Sequence, residues 1–596
     1  PPPAPTPPLS PSEHFYLQTQ PLGIQGHLPT LSDHDGHLYI RDEVGGLLVG
    51  CFEPDARPLP LEKLPNDFAF DLLNEDWDHF EPMLENAIHR IPALAETGAR
   101  MLLNGPESFT PDGNFILGES PELDGFYLGC GMNSVGVASG GGAGRALAEW
   151  IVEGRPTMDL SEVDARRFAP FQGNLKALHE RIPEELGLHY AVSYPGRRPA
   201  TARALRRSPV HAALAGHGAS FGVRAGWERP EYFVPAGETI RHESSFGRPP
   251  WFEAVRAEHL AARSAAALFD QSSFAKFRVE GPGARRLLQR LCSNDLDVAP
   301  DRVVYTLILN ERGGVEAEMT VLRLAEDTFL LVAGTGTESR LKAWLRRRMA
   351  DAGETRAVVT DVTSAHAVLA VAGPHAAALM AHVSPADFDA GAFPRYRQRE
   401  IELGYAMVRA ARLSYSGEDG FELFVAAEFA AHVFETLTDA GTEFGLRQGG
   451  TLALAGLRIE RGFRAWGHDM GAGDNALEAG LESAIRLGKP DGFIGRDALV
   501  ALRDAGLKRR LVHIVLEDAN AYPIGGEPIL HAGKPVGQVT SAAFGHTLGR
   551  AVAMGYVERA PGEIERMIAD GGFALDIAGE AAPARIGLLP PLATRD

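Results

Sequence analysis

Two short apolar runs flank Gly45–Gly46 in "LYIRDEVGGLLVGCFEP" (38–54). Their β-branched and aromatic residues predict two strands joined by a turn. The apolar positions of "AFDLLNEDWDHFEPMLENAIHRIPAL" (69–94) predict a helix. "DGFYLGCGM" reads as a turn, a short apolar strand and then glycines, and "GGGAGRALAEWIVEG" as a helix stopped at Gly154. Further on, "FRVEGPGARRLLQRL" (277–291) is echoed 92 residues later by "LAVAGPHAAALMAHV" (369–383). Each reads as strand, Gly-Pro break and helix. Two echoes predict a duplicated α+β module rather than a solenoid, which needs three or more repeats. After about residue 508, short strands with glycine punctuation near every ten residues predict a small β barrel or sandwich. The expected organisation is multidomain: 1–160, a packed Arg/Pro/Gly-rich connector at 161–225, the duplicated module at 226–500, and the barrel at 508–596.

Composition narrows the function classes. With 45% apolar and 23% charged residues among 596, the chain can bury several cores. Its net charge of −20 excludes nucleic acid and anionic membrane as natural partners. No apolar run reaches the roughly 18 residues of a membrane span. Three scattered cysteines (Cys51, Cys130, Cys292) support neither a disulfide scaffold nor a zinc site. They fit a reducing compartment, the cytoplasm, or the mitochondrial matrix in a eukaryote. No metal-ligating pattern stands out. The start, "PPPAPTPPLSPS", holds seven prolines in twelve residues and predicts an extended, polyproline-like segment without the features of a secretory signal.

Four stretches carry candidate chemistry. In the first, Gly140, Gly142 and Gly144 suggest a dinucleotide loop, but Arg145 stands where the last glycine of G-x-G-x-x-G belongs, and no strand follows the helix. The glycines then either line a surface that a flavin ring approaches, with a helix N-terminus aimed at it, or allow tight helix–sheet packing. In "RLSYSGEDGFELFV" (412–425), Tyr415 and Glu422 flank a turn, and either grip a flat heterocycle or belong to a solvated hairpin. In "VVYTLILNERGGVEAEMTVLRL" (303–324), strand alternation puts Glu316 and Glu318 on one face, with Tyr305 on the partner strand within reach of Glu318. In "GLRIERGFRAWGHDM" (456–470), Arg458, Arg461 and Arg464 either pair with the excess acids or recognise a carboxylate.

Longer stretches resemble one family. "EHFYLQTQPLG", "LNGPESFTPDGNFILGESPELDGFYLGCGMNSVGVASGGGAGRALAEWIVEG" and "GWERPEYF" resemble the flavoprotein half of the dimethylglycine dehydrogenase / sarcosine dehydrogenase family and its connector. "ALFDQSSFAKFRVEGPGA", "LSYSGEDGFELFV", "ERGFRAWGHDM" and "KPVGQVTSAAFGHTLGRAVAMGYV" resemble its folate-binding, aminomethyltransferase-like half. The resemblance implies the C-terminal part of an amine-oxidase-type FAD domain, then the duplicated α+β folate domain and the barrel. It implies tetrahydrofolate contacts at Tyr305, Glu318, Tyr415, Glu422 and Arg458. For Glu318 the resemblance implies either a proton-handling role or only the positioning of the folate, because plain aminomethyltransferases have Asp there. The segment Gly129–Gly144 matches the loop over the flavin ring, which implies Gly131, Asn133, Ser134 and Gly136 as flavin contacts. Tyr16 is implied as a catalytic contact to the amine.

The implied activity is oxidative N-demethylation of dimethylglycine or sarcosine with FAD, the one-carbon unit passing to tetrahydrofolate as 5,10-methylenetetrahydrofolate. The partners implied are a small N-methyl amino acid, folate, and an electron acceptor or a flavin-binding partner chain. The family's opening strand, G-x-G-x-x-G loop and helix have no counterpart here, so a complete folate site and an incomplete flavin site are expected. Two other readings stay open: a folate-dependent aminomethyltransferase without a working flavin site, and a folate-binding subunit.

Overall fold

The computed structural model describes residues 6–592 except 236, 242 and 244. The first five residues of the proline-rich start lie outside it, and from Ser10 the chain is already a strand. The chain divides into two compact units, Pro1–Leu205 and Arg206–Asp596.

The first unit is built on the strand Ser10–Thr19, which lies between Gly46–Cys51 and Ala99–Phe109 in a five-stranded sheet. Period-two alternation sorts its side chains. Phe15 and Leu17 join Leu38, Ile40, Phe80 and Met83 in one core, while Ser12, His14 and Tyr16 point to the other face. The hairpin read at 38–54 forms as Leu38–Glu43 and Gly46–Cys51. The helix expected over 69–94 starts only at Trp77, where Asp76 accepts from the His79 N–H, and ends at Arg90. The residues before it are drawn off locally by a bridge between Leu73 and Asn104.

The glycine segment also differs from its expectation as a loop over 129–144. Tyr127–Cys130 is a strand, residues 131–135 turn, and a helix already runs from Gly136 to Glu153. Ala143, Ala146 and Trp150 bury one face of that helix, enough to hold a glycine-rich sequence helical despite its poor propensity. Gly154 ends it at φ 71°, as read.

The second unit contains the duplicated module. Ala275–Glu280 leads through Gly281–Pro282 into the helix Ala284–Leu291, and His366–Ala372 leads through Gly373–Pro374 into Ala376–Val383. Gly281 and Gly373 both take positive φ, and a methyl on either would run into a backbone carbonyl, that of Arg356 or of Ala265. In each repeat the next two strands form a hairpin and the following strand returns beside the first. The resulting sheets have the same order, five strands in one and six in the other, the second completed by Ala266–Asp270 and Leu446–Gly449. Each sheet buries one face under its own helices. The other faces meet: Val303, Leu322, Leu330 and Val332 of the first pack with Val368, Ala411 and Phe424 of the second. Residues 509–587 close a six-stranded barrel, as the strand spacing predicted, with one helix, Glu563–Asp570, packed on it.

Candidate functional site

In the second unit the candidate residues gather at the seam between the two sheets. On the first sheet Leu322 faces the seam, so Thr320 and Glu318 do too, and cross-strand pairing puts Val303, Tyr305 and Leu307 beside them. Tyr305 and Glu318 are diagonal neighbours, and the Tyr305 Oη donates to Glu318 Oε2 at 2.6 Å. The Trp466 N–H donates to the other carboxylate oxygen at 2.7 Å. Burial raises the Glu318 pKa above the ordinary carboxylate value, opposed by these two donors and by the Arg458 charge. The Tyr305 hydroxyl is driven up by burial and by Glu318 itself. Glu316, on the same face, differs: Arg340 pairs with it at 2.5 Å and Asn310 donates to it at 3.0 Å. Glu316 is buried and Glu318 half-buried. Glu316 is neutralised by a cation, whereas Glu318 has only a hydroxyl and an amide.

On the second sheet, Phe269, Ala370, Glu422 and Ala411 lie in a row across four strands. Phe424, two residues along, is part of the seam, so Glu422 points toward the first sheet. It is 4% exposed. No hydrogen bond or ion pair satisfies its side chain among the described residues. Burial alone pushes its pKa up to about 7. A buried carboxyl without a partner is costly, and such exceptions concentrate where a ligand completes the bonding. Tyr415 packs against the neighbouring cluster of Phe269, Ala370, Leu454 and Leu457. Its ring stacks on Phe463 at 5.9 Å, and its hydroxyl donates to the Arg464 carbonyl at 2.6 Å.

Arg458, at the end of the helix Thr451–Glu460, is placed at the seam but is fully engaged. It pairs with Asp469 at 2.7 Å and donates to the Phe463 carbonyl and to Ser541 of the barrel, both at 2.8 Å. Asp469 also accepts from the Ala465 N–H and from Thr540. This network folds residues 463–469 back over the seam and so delivers the Trp466 amide to Glu318. Of the other two arginines, Arg461 pairs with Glu418, and Arg464 donates to the carbonyls of Gly462 and Ala479. Asp469 and Trp466 were not singled out from sequence. The loop that unites them is irregular, so no periodicity marks them.

In the first unit, Tyr16 is half-buried opposite Gly50 and Leu103. The more connected residue is His14, two positions away on the same face, which sequence reading passed over although strand alternation pairs it with Tyr16. His14 Nδ1 lies 3.1 Å from Glu53, and its Nε2 lies 3.3 Å from Ser134 Oγ, which donates to Glu107 at 2.8 Å. Burial works to lower the imidazole pKa, but Glu53 and Glu107 together raise it above its ordinary value. Residues 131–135 are held in a strained turn, with Gly131, Asn133 and Ser134 at φ 62°, 48° and 66°. Asn133 stabilises that turn, accepting from the Thr110 N–H at 2.9 Å and donating to the Gly131 carbonyl at 2.6 Å. Gly136 starts the helix, whose positive end lies at the turn. A side chain at Gly140, Gly141, Gly142 or Gly144 would meet nothing within 4 Å, so packing within the described unit does not require those glycines. A left-handed turn, a helix N-terminus and an open glycine face suit the approach of a flat ring.

Comparisons with known proteins agree with this division. Residues 1–150 match the FAD dependent oxidoreductase model and 153–208 its central domain. Residues 210–489 match the GCVT N-terminal domain and 509–592 the glycine cleavage T-protein C-terminal barrel domain. A 4-methylaminobutanoate oxidase (formaldehyde-forming) of Paenarthrobacter nicotinovorans is 40% identical over 586 residues, covering 98% of this chain and 70% of its own. A mitochondrial pyruvate dehydrogenase phosphatase regulatory subunit of Mus musculus is 37% identical over 602 residues, covering 98% and 68%. A mitochondrial sarcosine dehydrogenase of Homo sapiens is 35% identical over 625 residues, also covering 98% and 68%.

Proposed function

Because this chain belongs to the family of sarcosine and dimethylglycine dehydrogenases, FAD-dependent oxidoreductases joined to a folate-binding aminomethyltransferase-like domain, we propose that it oxidises the N-methyl group of a small amino acid and delivers the carbon to tetrahydrofolate. Dimethylglycine, sarcosine and 4-methylaminobutanoate are the candidate substrates. The observation that carries the folate step is the seam: the unpartnered Glu422 on one sheet face and the Tyr305–Glu318 pair on the opposed face.

When bound, a flavin supplies the two-electron acceptor for the N-methyl carbon. The protein's own groups then do the following. The turn 131–135 and the helix behind it give the ring a backbone wall and a positive dipole. His14, fixed by Glu53, holds its Nε2 toward Ser134 and so keeps a proton available on the face that carries Tyr16. At the seam, the Glu422 carboxyl accepts ring N–H groups of the pterin, which supply the bonds it lacks. Glu318 is positioned by Tyr305 and the Trp466 amide to take a proton as the ring closes. In that step the iminium carbon bonds to both folate nitrogens, its bond to the amine breaks, and the two N–H protons end on the departing amine, one of them through Glu318.

The test measures tetrahydrofolate binding to the purified chain. It then measures formaldehyde and 5,10-methylenetetrahydrofolate after adding each N-methyl amine with an artificial electron acceptor. Methylenetetrahydrofolate at the expense of formaldehyde supports the reading. Failure to bind folate overturns it. A folate-binding subunit serving another flavin chain is the second reading. The 37% identity to a protein named as a regulatory subunit favours it, and folate binding without any visible flavin band would select it.

A further inference from the structure

The hairpin Ala219–Arg224 / Trp227–Phe233, at the start of the second unit, carries two arginines with nothing to bind. Arg229 pairs across the hairpin with Gly222, and Arg224 with Trp227, so both guanidinium groups start from one face as diagonal neighbours. Neither has a hydrogen bond, an ion pair or a ring contact among the described residues. The buried Nε of Arg229 is unsatisfied. Arg224 is exposed and Arg229 half-buried, whereas several other arginines withdrawn from water are paired: Arg206 with Glu338, Arg263 with Glu418 and Glu460, Arg340 with Glu316, Arg412 with Asp419. The acids nearest Arg229 in its field are Asp270 and Glu231, and neither forms an ion pair with it. The side chain of Glu231 instead lies over Gly222.

The surroundings add positive charge rather than remove it. Arg224 Nη2 reaches the Gly467 position, next to His468. The His468 imidazole, exposed at the surface, has its pKa lowered by partial desolvation and by the Arg224 and Arg458 charges, and has no side-chain partner among the described residues. Arg229 lies within electrostatic range of Tyr415, and burial together with Arg224 lowers its pKa to about 10. Two adjacent guanidinium groups, one of them with a buried and unsatisfied Nε, repel each other, and the arrangement gains most from an anion shared between them.

We propose that Arg224 and Arg229 form a carboxylate-binding subsite at the edge of the folate seam, with His468 as an added hydrogen-bonding group. This rests on the reading of the seam as a folate site. Two ligands bring an aliphatic carboxylate there: the glutamyl tail of tetrahydrofolate, and the amino acid that carries the one-carbon unit. In either case the pair fixes the ligand's distal end while Glu422 and Glu318 engage the reacting end.

The experiment uses the full chain and the variants R229M, R229K and R224Q, with thermal melting to show that each folds. Binding of tetrahydrofolate and of tetrahydropteroate, which lacks the glutamate, is measured by fluorescence. Competition by glycine and by 4-aminobutanoate is measured on the same samples. If the tail occupies the subsite, R229M weakens tetrahydrofolate by roughly 10- to 100-fold and leaves tetrahydropteroate unchanged. If the amino acid occupies it, both folates bind R229M as before and competition by the amino acid is lost. R229K retains part of either effect, because charge survives without the fork. The proposal is overturned if R229M and R224Q bind all four ligands as the unmodified chain does, or lose tetrahydrofolate and tetrahydropteroate equally. If the unmodified chain binds neither folate, the reading of the seam fails instead.

Discussion

The two repeats of the second unit share a scaffold and differ in how they treat their acid. Both run strand, Gly-Pro, helix, hairpin and returning strand, and both turn one sheet face to the seam. In the first repeat the protein satisfies Glu318 with the Tyr305 hydroxyl and the Trp466 amide. In the second it leaves Glu422 with no partner among the described residues, and burial pushes its pKa to about 7. One acid is held by the protein's own donors, and the other has none among the described residues, as the proposed folate site requires. The two acids also sit on non-equivalent strands, Glu318 on the second hairpin strand Val315–Ala325 of the first repeat and Glu422 on the returning strand Gly420–Ala426 of the second, so the repeats share a scaffold but not the placement of their acid.

The largest expected effect tests whether the scaffolds really are equivalent. G281A and G373A each force a side chain into a backbone carbonyl at positive φ, and each should destabilise the unit by about 2–4 kcal/mol in chemical denaturation. A near-neutral result for one of them would break the symmetry. Next is Glu422. Its folded pKa is raised above the unfolded value, so the buried group favours folding only when protonated. The destabilisation of the ligand-free protein therefore grows as pH rises through the interval from about 4.5 to about 7, and is constant above it. E422Q should remove it, raising stability by up to roughly 3 kcal/mol at pH 8 and by little at pH 4. The same variant should lose folate affinity. Greater stability without loss of binding would show that Glu422 is only a buried carboxyl.

E318Q should change stability less, because the amide oxygen still accepts from the Trp466 N–H while the Tyr305 hydroxyl can turn to accept from the new NH2. Its signature is chemical: folate binding within about tenfold of the original, with more formaldehyde released per methylenetetrahydrofolate formed. An unchanged product ratio would remove Glu318 from proton handling. The smallest effect is that of Y305F, which deletes one hydrogen bond to Glu318 and should cost about 1 kcal/mol of stability by thermal melting. A much larger loss would mean that Tyr305 supports the seam by packing rather than by that bond.

Much of this was legible in particular residues. The Gly-Pro echoes marked the duplication because a strand cannot continue through them. Alternation on 315–325 put Glu316 and Glu318 on one face, and Tyr305 fell within reach as the spacing suggested. The glycine segment was less legible. The sequence reads as a helix from Gly140 to the stop at Gly154, but buried Ala143, Ala146 and Trp150 hold it helical from Gly136, inside the segment 129–144 matched to the flavin loop. Arg458 could be named as a seam residue, but not that Asp469, Ser541 and the Phe463 carbonyl would occupy it. His14 escaped notice because its partners Glu53 and Ser134 lie 39 and 120 positions away in sequence.

By itself the sequence determined the periodic elements, the repeat and the side of each strand that an acid occupies, because these depend on local spacing and on backbone rules that act within a few residues. Only the tertiary structure decided which charges are neutralised. Glu316 and Glu318 are two residues apart with the same local pattern, and what separates them is that Arg340 reaches one and the Trp466 amide the other. Arg224 and Arg229 look like any arginines on a hairpin until every acid within reach proves to be elsewhere. Whether a charge has a partner is a property of the folded neighbourhood, and function in this protein is written in that difference.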